Sequence, residues 1–233
     1  MDENRKLMPA NWPPKWADIV DPTVLSAVRQ VERHLFVPRH QQRYAYDDVP
    51  LPIGHEQTIS QPYIVALMTQ ALHLTRESRV LEVGTGSGYQ AAILSCIADR
   101  VWSIERIEAL AKESQKRLSR LGYRVEVRQG DGCMGLPESA PYDGIMVTAA
   151  AAEVPPALVA QLAEGGRLVI PVGSDFWYQR LWIFTRTRGE LAAEKLADVR
   201  FVPLVGATPA RMPESELFRQ IRQEIDRLMK ESA

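Results

Sequence analysis

The chain of 233 residues has only two cysteines, Cys96 and Cys133, and four histidines. Two thiols do not make a disulfide framework, and neither they nor the scattered histidines have the spacing of a metal site. The sequence therefore predicts no bound metal. Cys96 falls on the apolar side of a predicted helix, so we expect its thiol to be packed in the core.

Long apolar runs are also missing. No stretch of about 18 uncharged apolar residues occurs, so we expect no membrane-spanning helix. The first residues, M-D-E-N-R-K-L-M-P, lack the apolar segment that a secretory signal needs. These two absences predict a cytoplasmic protein without a membrane partner.

An excess of one charge is missing as well. The 28 lysines and arginines are balanced by 29 aspartates and glutamates, which gives a formal net charge of −1. No run of basic residues interleaved with aromatics occurs, so the sequence argues against a nucleic-acid partner. A hydrophobic fraction of 45% is ordinary for a globular domain with a substantial core.

Among the features that are present, residues 80–88, V-L-E-V-G-T-G-S-G, are the most informative. A short apolar run typical of a buried parallel strand ends at Val83, and glycines follow at alternate positions, Gly84, Gly86 and Gly88. A predicted helix begins directly afterwards. A strand that passes through glycines into a helix N-terminus leaves backbone N–H groups free to bind a ligand.

The spacing of the glycines separates two classes of nucleotide-binding protein. Dinucleotide enzymes use G-x-G-x-x-G, but Tyr89 stands where the third glycine of that pattern would fall, which argues against an NAD-dependent oxidoreductase. Alternate glycines with an acidic residue two positions before the first, here Glu82, are the pattern of S-adenosylmethionine methyltransferases. A plain tight turn would explain the glycines alone, and the residues around them favour the ligand site.

Strands and helices alternate from Arg79 onward, as a doubly wound α/β fold requires. We predict a Rossmann-like methyltransferase fold with a mostly parallel seven-stranded sheet. The predicted strands are 79–83, 101–105, 124–128, 143–148, 167–171, 180–186 and 197–202. The predicted helices are 88–98, 107–121 with Gly122 at its end, and one that begins at Pro155 and ends before Gly165.

The chain is predicted to form one methyltransferase domain over 1–233, with a helical, substrate-side segment before the sheet and a tail after it. The boundaries are 1–75 for the first segment, 76–206 for the cofactor-binding core sheet and 207–233 for the tail. The tail has apolar residues at helical spacing from Pro213 onward. We expect this helix to dock on its own domain in a monomer, and a contact between subunits of a homo-oligomer is the alternative.

Before the sheet, Asp21 is expected to cap a helix that begins at Pro22, and Pro62 to open a second helix. Residues 1–20, rich in tryptophan and proline, are expected to lie irregularly over the surface. The polar, proline-bearing segment 38–57 is predicted to be a loop with little regular structure.

Two acidic residues lie where a nucleoside ligand would need them. Glu105 ends the strand after the glycine-loop helix, where a carboxylate can accept both ribose hydroxyls. Asp131, in G-D-G, follows the next strand and could accept a proton from the adenine amino group, although Asp in G-D-G is equally good turn chemistry. Open α/β sheets bind ligands at the carboxyl ends of their strands, where both residues are predicted to lie.

Several segments outside the glycine loop point to the methyl acceptor. Residues 51–66 read L-P-I-G-H-E-Q-T-I-S-Q-P-Y-I-V-A, and residues 200–206 read R-F-V-P-L-V-G. Together with V-L-E-V-G-T-G-S-G-Y-Q-A-A and V-T-A-A, they closely resemble the protein-L-isoaspartate O-methyltransferases, over roughly residues 24–206. The T-I-S-Q-P element is the specific part, because other methyltransferases share only the glycine loop.

The resemblance implies methyl transfer from S-adenosyl-L-methionine to the free α-carboxylate of L-isoaspartyl residues in damaged proteins and peptides, with S-adenosyl-L-homocysteine as product. The cofactor-binding positions are then Glu82, Gly84, Thr85, Gly86, Ser87, Gly88, Glu105, Arg106, Asp131 and Gly132. The substrate-binding positions are Thr58, Ile59, Ser60, Val202, Pro203 and Leu204, with backbone contacts to the peptide at 202–204.

Ser60 matches the active-site serine of the family, with the implied role of orienting the acceptor carboxylate by hydrogen bonding. Without the resemblance, a helix cap before Pro62 would be the favoured interpretation. Glu56 stands where the family usually has glycine, and we expect its side chain to face solvent. The alternatives are a methyltransferase of the same fold that acts on a small molecule or RNA, and a non-catalytic module that binds S-adenosylmethionine.

Overall fold

The sheet that the alternating pattern predicts has seven strands and occupies the centre of the molecule. The computed structural model describes residues 7–173 and 179–206. The helix predicted from Pro213 onward lies outside these described residues. In chain order the strands are β1 (Leu51–Gly54), β2 (Gln57–Ile59), β3 (Arg79–Val83), β4 (Arg100–Glu105), β5 (Glu126–Gln129), β6 (Tyr142–Val147), β7 (Leu162–Val172), β8 (Gln179–Thr187) and β9 (Glu190–Val199).

The order of the large sheet is β5-β4-β3-β6-β7-β8-β9, and β1 and β2 form a separate antiparallel hairpin. The pairs from β5 to β7 are all parallel, whereas β8 runs antiparallel to both of its neighbours. The chain reverses its direction of travel across the sheet between β3 and β6, and such a reversal opens a crevice at the carboxyl ends of the strands. The predicted fold class is confirmed.

The described residues contain five α-helices, and the ends of two follow the sequence signals. They are α1 (Pro22–Gln30), α2 (Pro62–Ala71), α3 (Tyr89–Ile97), α4 (Glu108–Arg120) and α5 (Pro156–Ala160). The Asp21 carboxylate accepts the Thr23 N–H at 2.8 Å at the start of α1, as predicted. Helix α4 ends with Gly122 at φ 82° and a bond from Tyr123 N–H to the Leu118 carbonyl, the Schellman arrangement.

Both faces of the central strands are covered, which explains their nearly continuous apolar sequences. On one face, α1, α2 and α3 pack with Val80 and Met146. On the other face, α5 packs with Leu81, Val83 and Ile145. Among the described residues, no helix has both the length and the apolar character needed to cross a bilayer.

The predicted loop over 38–57 is wrong, because this segment contains a 3₁₀ helix, Arg39–Tyr44, and strand β1. Pro52 within β1 hides the strand pattern, and a two-stranded ribbon tolerates proline because one side of each strand is unpaired. The expectation that residues 1–20 lie over the surface is wrong for Trp12, which is 3% exposed and packs in the core. The thiol of Cys96 is half-buried at the edge of the core rather than enclosed in it.

Three elements after β6 also have bounds that differ from the predicted ones. Helix α5 ends at Ala160, and β7 begins at Leu162 and continues through the two glycines that were expected to follow the helix. The last strand is Glu190–Val199 instead of 197–202. It was mispredicted because its polar alternation, typical of an edge strand, gives little apolar signal. Residues 200–206 are therefore released from the sheet and reach the site described next.

Candidate functional site

The glycine loop between β3 and α3 is fixed by bonds to neighbouring strands. The Gly84 and Thr85 N–H groups both donate to the Ile104 carbonyl, at 2.8 and 3.3 Å. The hydroxyl of Thr148, just after β6, donates to the Gly84 carbonyl at 2.7 Å. A Cβ atom on Gly84 would lie 2.3 Å from this hydroxyl, and φ is +98°, so the position requires glycine.

Glu105 ends β4 and faces the loop. Its Oε2 accepts the N–H of Gly86 at 2.8 Å, and its Oε1 accepts the N–H of Ile107 at 2.9 Å. The residue is 7% exposed. These two bonds fix the direction of the carboxylate, and each oxygen keeps a further acceptor position.

Beneath the loop, three side chains form a buried chain of hydrogen bonds. The Ser103 hydroxyl donates to Oε2 of Glu82, and the hydroxyls of Ser103 and Thr85 lie 2.5 Å apart. Glu82 is completely buried, and its Oε1 has no hydrogen-bond partner among the described residues. This burial, reinforced by the nearby Glu105, raises the pKa of Glu82 to about 8, against the lowering effect of the Ser103 bond.

Asp131 and Gly132 follow β5 at the same edge of the sheet. The Asp131 carboxylate accepts the N–H of Cys133 at 3.0 Å and caps a short 3₁₀ helix, Gly132–Met134. A Cβ on Gly132 would lie 2.3 Å from Cγ1 of Val83, so this turn packs directly against the end of β3. The glycine loop, Glu105 and Asp131 therefore follow three adjacent parallel strands, β3, β4 and β5.

Residues 201–206, hereafter the crossing segment, run over these strand ends. Ala150 pairs with Pro203 in a parallel bridge: its N–H donates to the Val202 carbonyl at 2.8 Å, and its carbonyl accepts the Leu204 N–H at 2.7 Å. The Val202 carbonyl and the Leu204 N–H are therefore already hydrogen-bonded within the protein. The bridge places the carbonyl of Pro203, which has no N–H, on the opposite side of the segment.

Both ends of the crossing segment are anchored. Gln179 makes a reciprocal pair of bonds with Phe201, donating to its carbonyl at 3.1 Å and accepting its N–H at 2.6 Å. Further along, the exposed guanidinium of Arg106 donates to the Val205 carbonyl at 3.0 Å. Arg106, expected at the cofactor, therefore joins the end of β4 to the crossing segment.

The β1–β2 hairpin approaches the loop from the other side. Cδ1 of Ile53 lies 3.3 Å from the position that a Cβ of Gly86 would take, so the hairpin lies over the glycine loop. Along β2 and just after it, Thr58 is exposed, Ile59 is buried and Ser60 is half-buried. Strand β2, which begins the T-I-S element, pairs with β1 in this same hairpin.

The alternative interpretation of Ser60 as a helix cap is not supported. The N-cap position of α2 is Gln61, and no side chain of the cap residue bonds the helix. The Tyr63 N–H at the start of α2 is instead bonded by the Asp48 carboxylate at 2.9 Å. Asp48 takes the place that the cap interpretation assigned to Ser60.

Glu56 lies at the tip of the β1–β2 hairpin. His55 and Glu56 are the two residues between the paired Gly54 and Gln57, and their φ values are 52° and 58°. Two positive φ values in a two-residue hairpin are typical of a type I′ turn, which favours glycine. Glu56 is exposed, as expected.

Three residues that sequence reasoning missed support the site from outside: Ser103, Thr148 and Gln179. Thr148 belongs to the V-T-A-A element at the end of a predicted strand, and this position could have predicted its place at the site. Ser103 and Gln179 lie inside or at the start of strands and carry no local signal. Among the described residues, no cluster of three metal-ligating side chains occurs.

The strand order and the glycine loop at the carboxyl end of β3 define a Rossmann-like methyltransferase. Residues 14–209 match the family described as Protein-L-isoaspartate(D-aspartate) O-methyltransferase (PCMT). The chain belongs to this family.

Individual relatives agree with the family match. The chain is 56% identical over 193 residues to the protein-L-isoaspartate O-methyltransferase of Opitutus terrae, covering 82% of this chain and 83% of that one. It is 57% identical over 192 residues to protein-L-isoaspartate O-methyltransferase 2 of Pelobacter propionicus, covering 81% and 85%.

Two solved structures have the same fold. A protein-L-isoaspartate O-methyltransferase matches with a TM-score of 0.75 and 31% identity, over 81% of this chain and 63% of that chain. A structure of a Plasmodium falciparum protein described as a putative protein-L-isoaspartate O-methyltransferase, in complex with S-adenosyl-L-homocysteine, matches with a TM-score of 0.71 and 29% identity, over 80% and 92%.

Proposed function

We propose that this protein transfers a methyl group from S-adenosyl-L-methionine to the free α-carboxylate of L-isoaspartyl residues in damaged proteins and peptides. The observation that carries the proposal is the packing of Ile53 on Gly86, because Ile53 belongs to the hairpin that contains Thr58 and Ile59. Family membership over residues 14–209 supports the same activity.

The residues at the strand ends suit the cofactor. The remaining acceptor positions of Glu105 suit the two ribose hydroxyls, and the Asp131 carboxylate lies after the next strand, on the side where the adenine amino group would be bound. The amino-acid portion would lie against the backbone of the glycine loop, residues 84–88. When bound, S-adenosyl-L-methionine supplies an electrophilic methyl group on a sulfonium.

The protein needs little acid–base chemistry for this transfer. A free α-carboxyl group has a reference pKa of about 3.3–3.7, so the acceptor is ionised at neutral pH. Ser60 orients the acceptor carboxylate, and Thr58, Ile59 and the Pro203 carbonyl hold the peptide through polar and main-chain contacts. The hairpin and the crossing segment exclude water from both sides, so alignment and desolvation provide the rate enhancement.

The decisive experiment compares radiolabelled methyl incorporation from S-adenosyl-L-methionine into an isoaspartyl peptide and its normal aspartyl twin. We expect incorporation into the isoaspartyl peptide alone. Equal labelling of both peptides would contradict the acceptor assignment. Labelling of neither, with retained binding of S-adenosyl-L-homocysteine, would favour a different acceptor or a binding module.

The proposal also covers the oligomeric state, the cellular location and the partners of the protein. We propose a monomer that acts in the cytoplasm without nucleic acid, and the net charge of −1 supports the absence of a nucleic-acid partner. Light scattering on the full chain tests the oligomeric state, since a dimer mass would contradict a monomer. Co-purified nucleic acid would contradict the second part.

A further inference from the structure

The second buried carboxyl group of the site, that of Glu82, does not face the ligand space. Glu82 lies in the middle of the sheet, in register with Ser103 on β4 and Met146 on β6. Its side chain is 0% exposed, and one of its oxygens has no partner among the described residues. A ligand above the strand ends cannot reach this carboxyl group without displacing the loop.

The hydrogen-bond chain from Glu82 ends at the glycine loop. The Ser103 hydroxyl bonds Oε2 of Glu82 and lies 2.5 Å from the Thr85 hydroxyl, a contact in which either oxygen can be the donor. A neutral Glu82 can accept from Ser103 or donate to it, and the chain of hydrogen bonds is continuous in both cases. The Thr85 side chain is thereby held inward, and the residue is buried within the loop.

We propose that Glu82 is a positioning residue that acts as a neutral carboxylic acid, holding Thr85 and the loop backbone through Ser103, and that it does not bind the cofactor. A charged carboxylate with one unpartnered oxygen is costly at a fully buried position, whereas a neutral one is tolerated. The raised pKa of Glu82 agrees with this state at neutral pH.

Within the described ranges 7–173 and 179–206, Glu82 has one other carboxyl group nearby and no cation paired with it. Glu105 on β4 disfavours the ionised form. Helices α2 and α3, which pack on the same face, contribute Thr69 and Gln90, bonded to each other at 2.9 Å, and Tyr89, whose pKa is raised to about 12. Arg33 lies over the Tyr89 ring, 4.9 Å from its centroid. Ionisation of Glu82 therefore meets no compensating charge and should loosen the loop.

The test measures binding of S-adenosyl-L-homocysteine by calorimetry to the full-length parent and to Glu82→Gln at pH 7 and pH 9. With a pKa of about 8, the neutral fraction of Glu82 falls about tenfold over this range. We expect the parent's affinity to fall about tenfold relative to that of Glu82→Gln, whose amide cannot ionise. The ligand titrates identically in both experiments, so its own ionisation cancels in the ratio.

A loss of more than tenfold for Glu82→Gln already at pH 7 would overturn the proposal, because it would mean that a carboxylate binds the cofactor. Identical pH profiles would also overturn it. Ser103→Ala, which cuts the chain while leaving Glu82 in place, should lose roughly two- to tenfold at pH 7. Unchanged binding by Ser103→Ala would refute the positioning role, even if Glu82→Gln failed to fold in a thermal unfolding control.

This inference rests on the proposed cofactor, but the two can fail separately. Binding of S-adenosyl-L-homocysteine by the parent at pH 7 tests the proposed function. The ratio of parent to variant across pH tests Glu82.

Discussion

The backbone N–H of Gly86 and the carboxylate of Glu105 are joined by a hydrogen bond of 2.8 Å. The same carboxylate accepts the N–H of Ile107, so Glu105 ties the glycine loop to the start of α4. One side chain thus serves the shape of the loop and, as we propose, the ribose of the cofactor.

Replacing Glu105 with alanine should weaken S-adenosyl-L-homocysteine binding by about 1.5–3 kcal/mol, the value typical of hydrogen bonds to a charged group. Calorimetric titration measures this loss. Glu108→Ala is the matched control, because that exposed glutamate on α4 pairs with Lys112 at the surface. An unchanged affinity for Glu105→Ala would place the ribose elsewhere.

Replacing Ser60 with alanine should lower turnover on an isoaspartyl peptide while leaving cofactor affinity nearly unchanged. The reason is that Ser60 lies in the acceptor segment and does not cap α2. Steady-state kinetics and calorimetry together separate the two effects. Ser95→Ala is the control, since that hydroxyl donates to the Ala92 carbonyl within α3. Equal turnover of parent and Ser60→Ala would remove Ser60 from the mechanism.

Replacing Gln179 with leucine should raise the KM for the peptide more than it weakens cofactor binding. The change leaves the N–H and carbonyl of Phe201 without their reciprocal partner at a buried position, which costs about 1–3 kcal/mol of stability. Gln179→Glu keeps the acceptor and loses the donor, so an intermediate KM is expected. If both variants keep the parent's KM, the crossing segment does not need this anchor for substrate binding.

Replacing Glu56 with glycine should raise the free energy of unfolding by up to about 1 kcal/mol. A left-handed conformation costs a residue with a Cβ atom roughly 1–2 kcal/mol, part of which the greater freedom of glycine in the unfolded chain offsets. Urea unfolding measures the difference. Glu56→Ala, which keeps the Cβ atom, should show no comparable gain, and a destabilised glycine variant would contradict the strained turn.

The stability of the protein should depend on pH through Glu82. Its pKa is raised from 4.5 to about 8 in the folded state, so its contribution is fully present below pH 4.5 and is lost as the pH rises towards 8. The unfolding free energy of Glu82→Gln minus that of the parent should therefore increase between pH 4.5 and 8 and level off above. Denaturant titrations at several pH values measure this difference, and a constant difference would show that Glu82 has no raised pKa.

The strand ends of the site could be predicted from the sequence because their signals are local. The apolar run before Gly84 fixes β3, and Glu105 and Asp131 follow the next two strands in the same alternating pattern. The end of α4 was equally readable, since Gly122 supplies the positive φ that the Schellman arrangement requires.

The supporting contacts could not be predicted, because each depends on tertiary packing. Thr85 and Ser103 are 18 residues apart, and Arg106 and Val205 are 99 apart. Which atoms meet depends on strand register and on the path of the crossing segment, and neither leaves a local pattern. Strand β1 was missed for a different reason. Pro52 argues against a strand in the sequence, but a strand that pairs on one side only tolerates proline.

The contact between Ile53 and Gly86 has a consequence for redesign of this enzyme. Replacing the β1–β2 hairpin with a foreign one would not change the acceptor specificity alone, because residue 53 of the hairpin packs on the glycine loop. A graft that enlarges this side chain would push against the loop and disturb both halves of the reaction together. Libraries that vary the acceptor side should therefore hold this position constant.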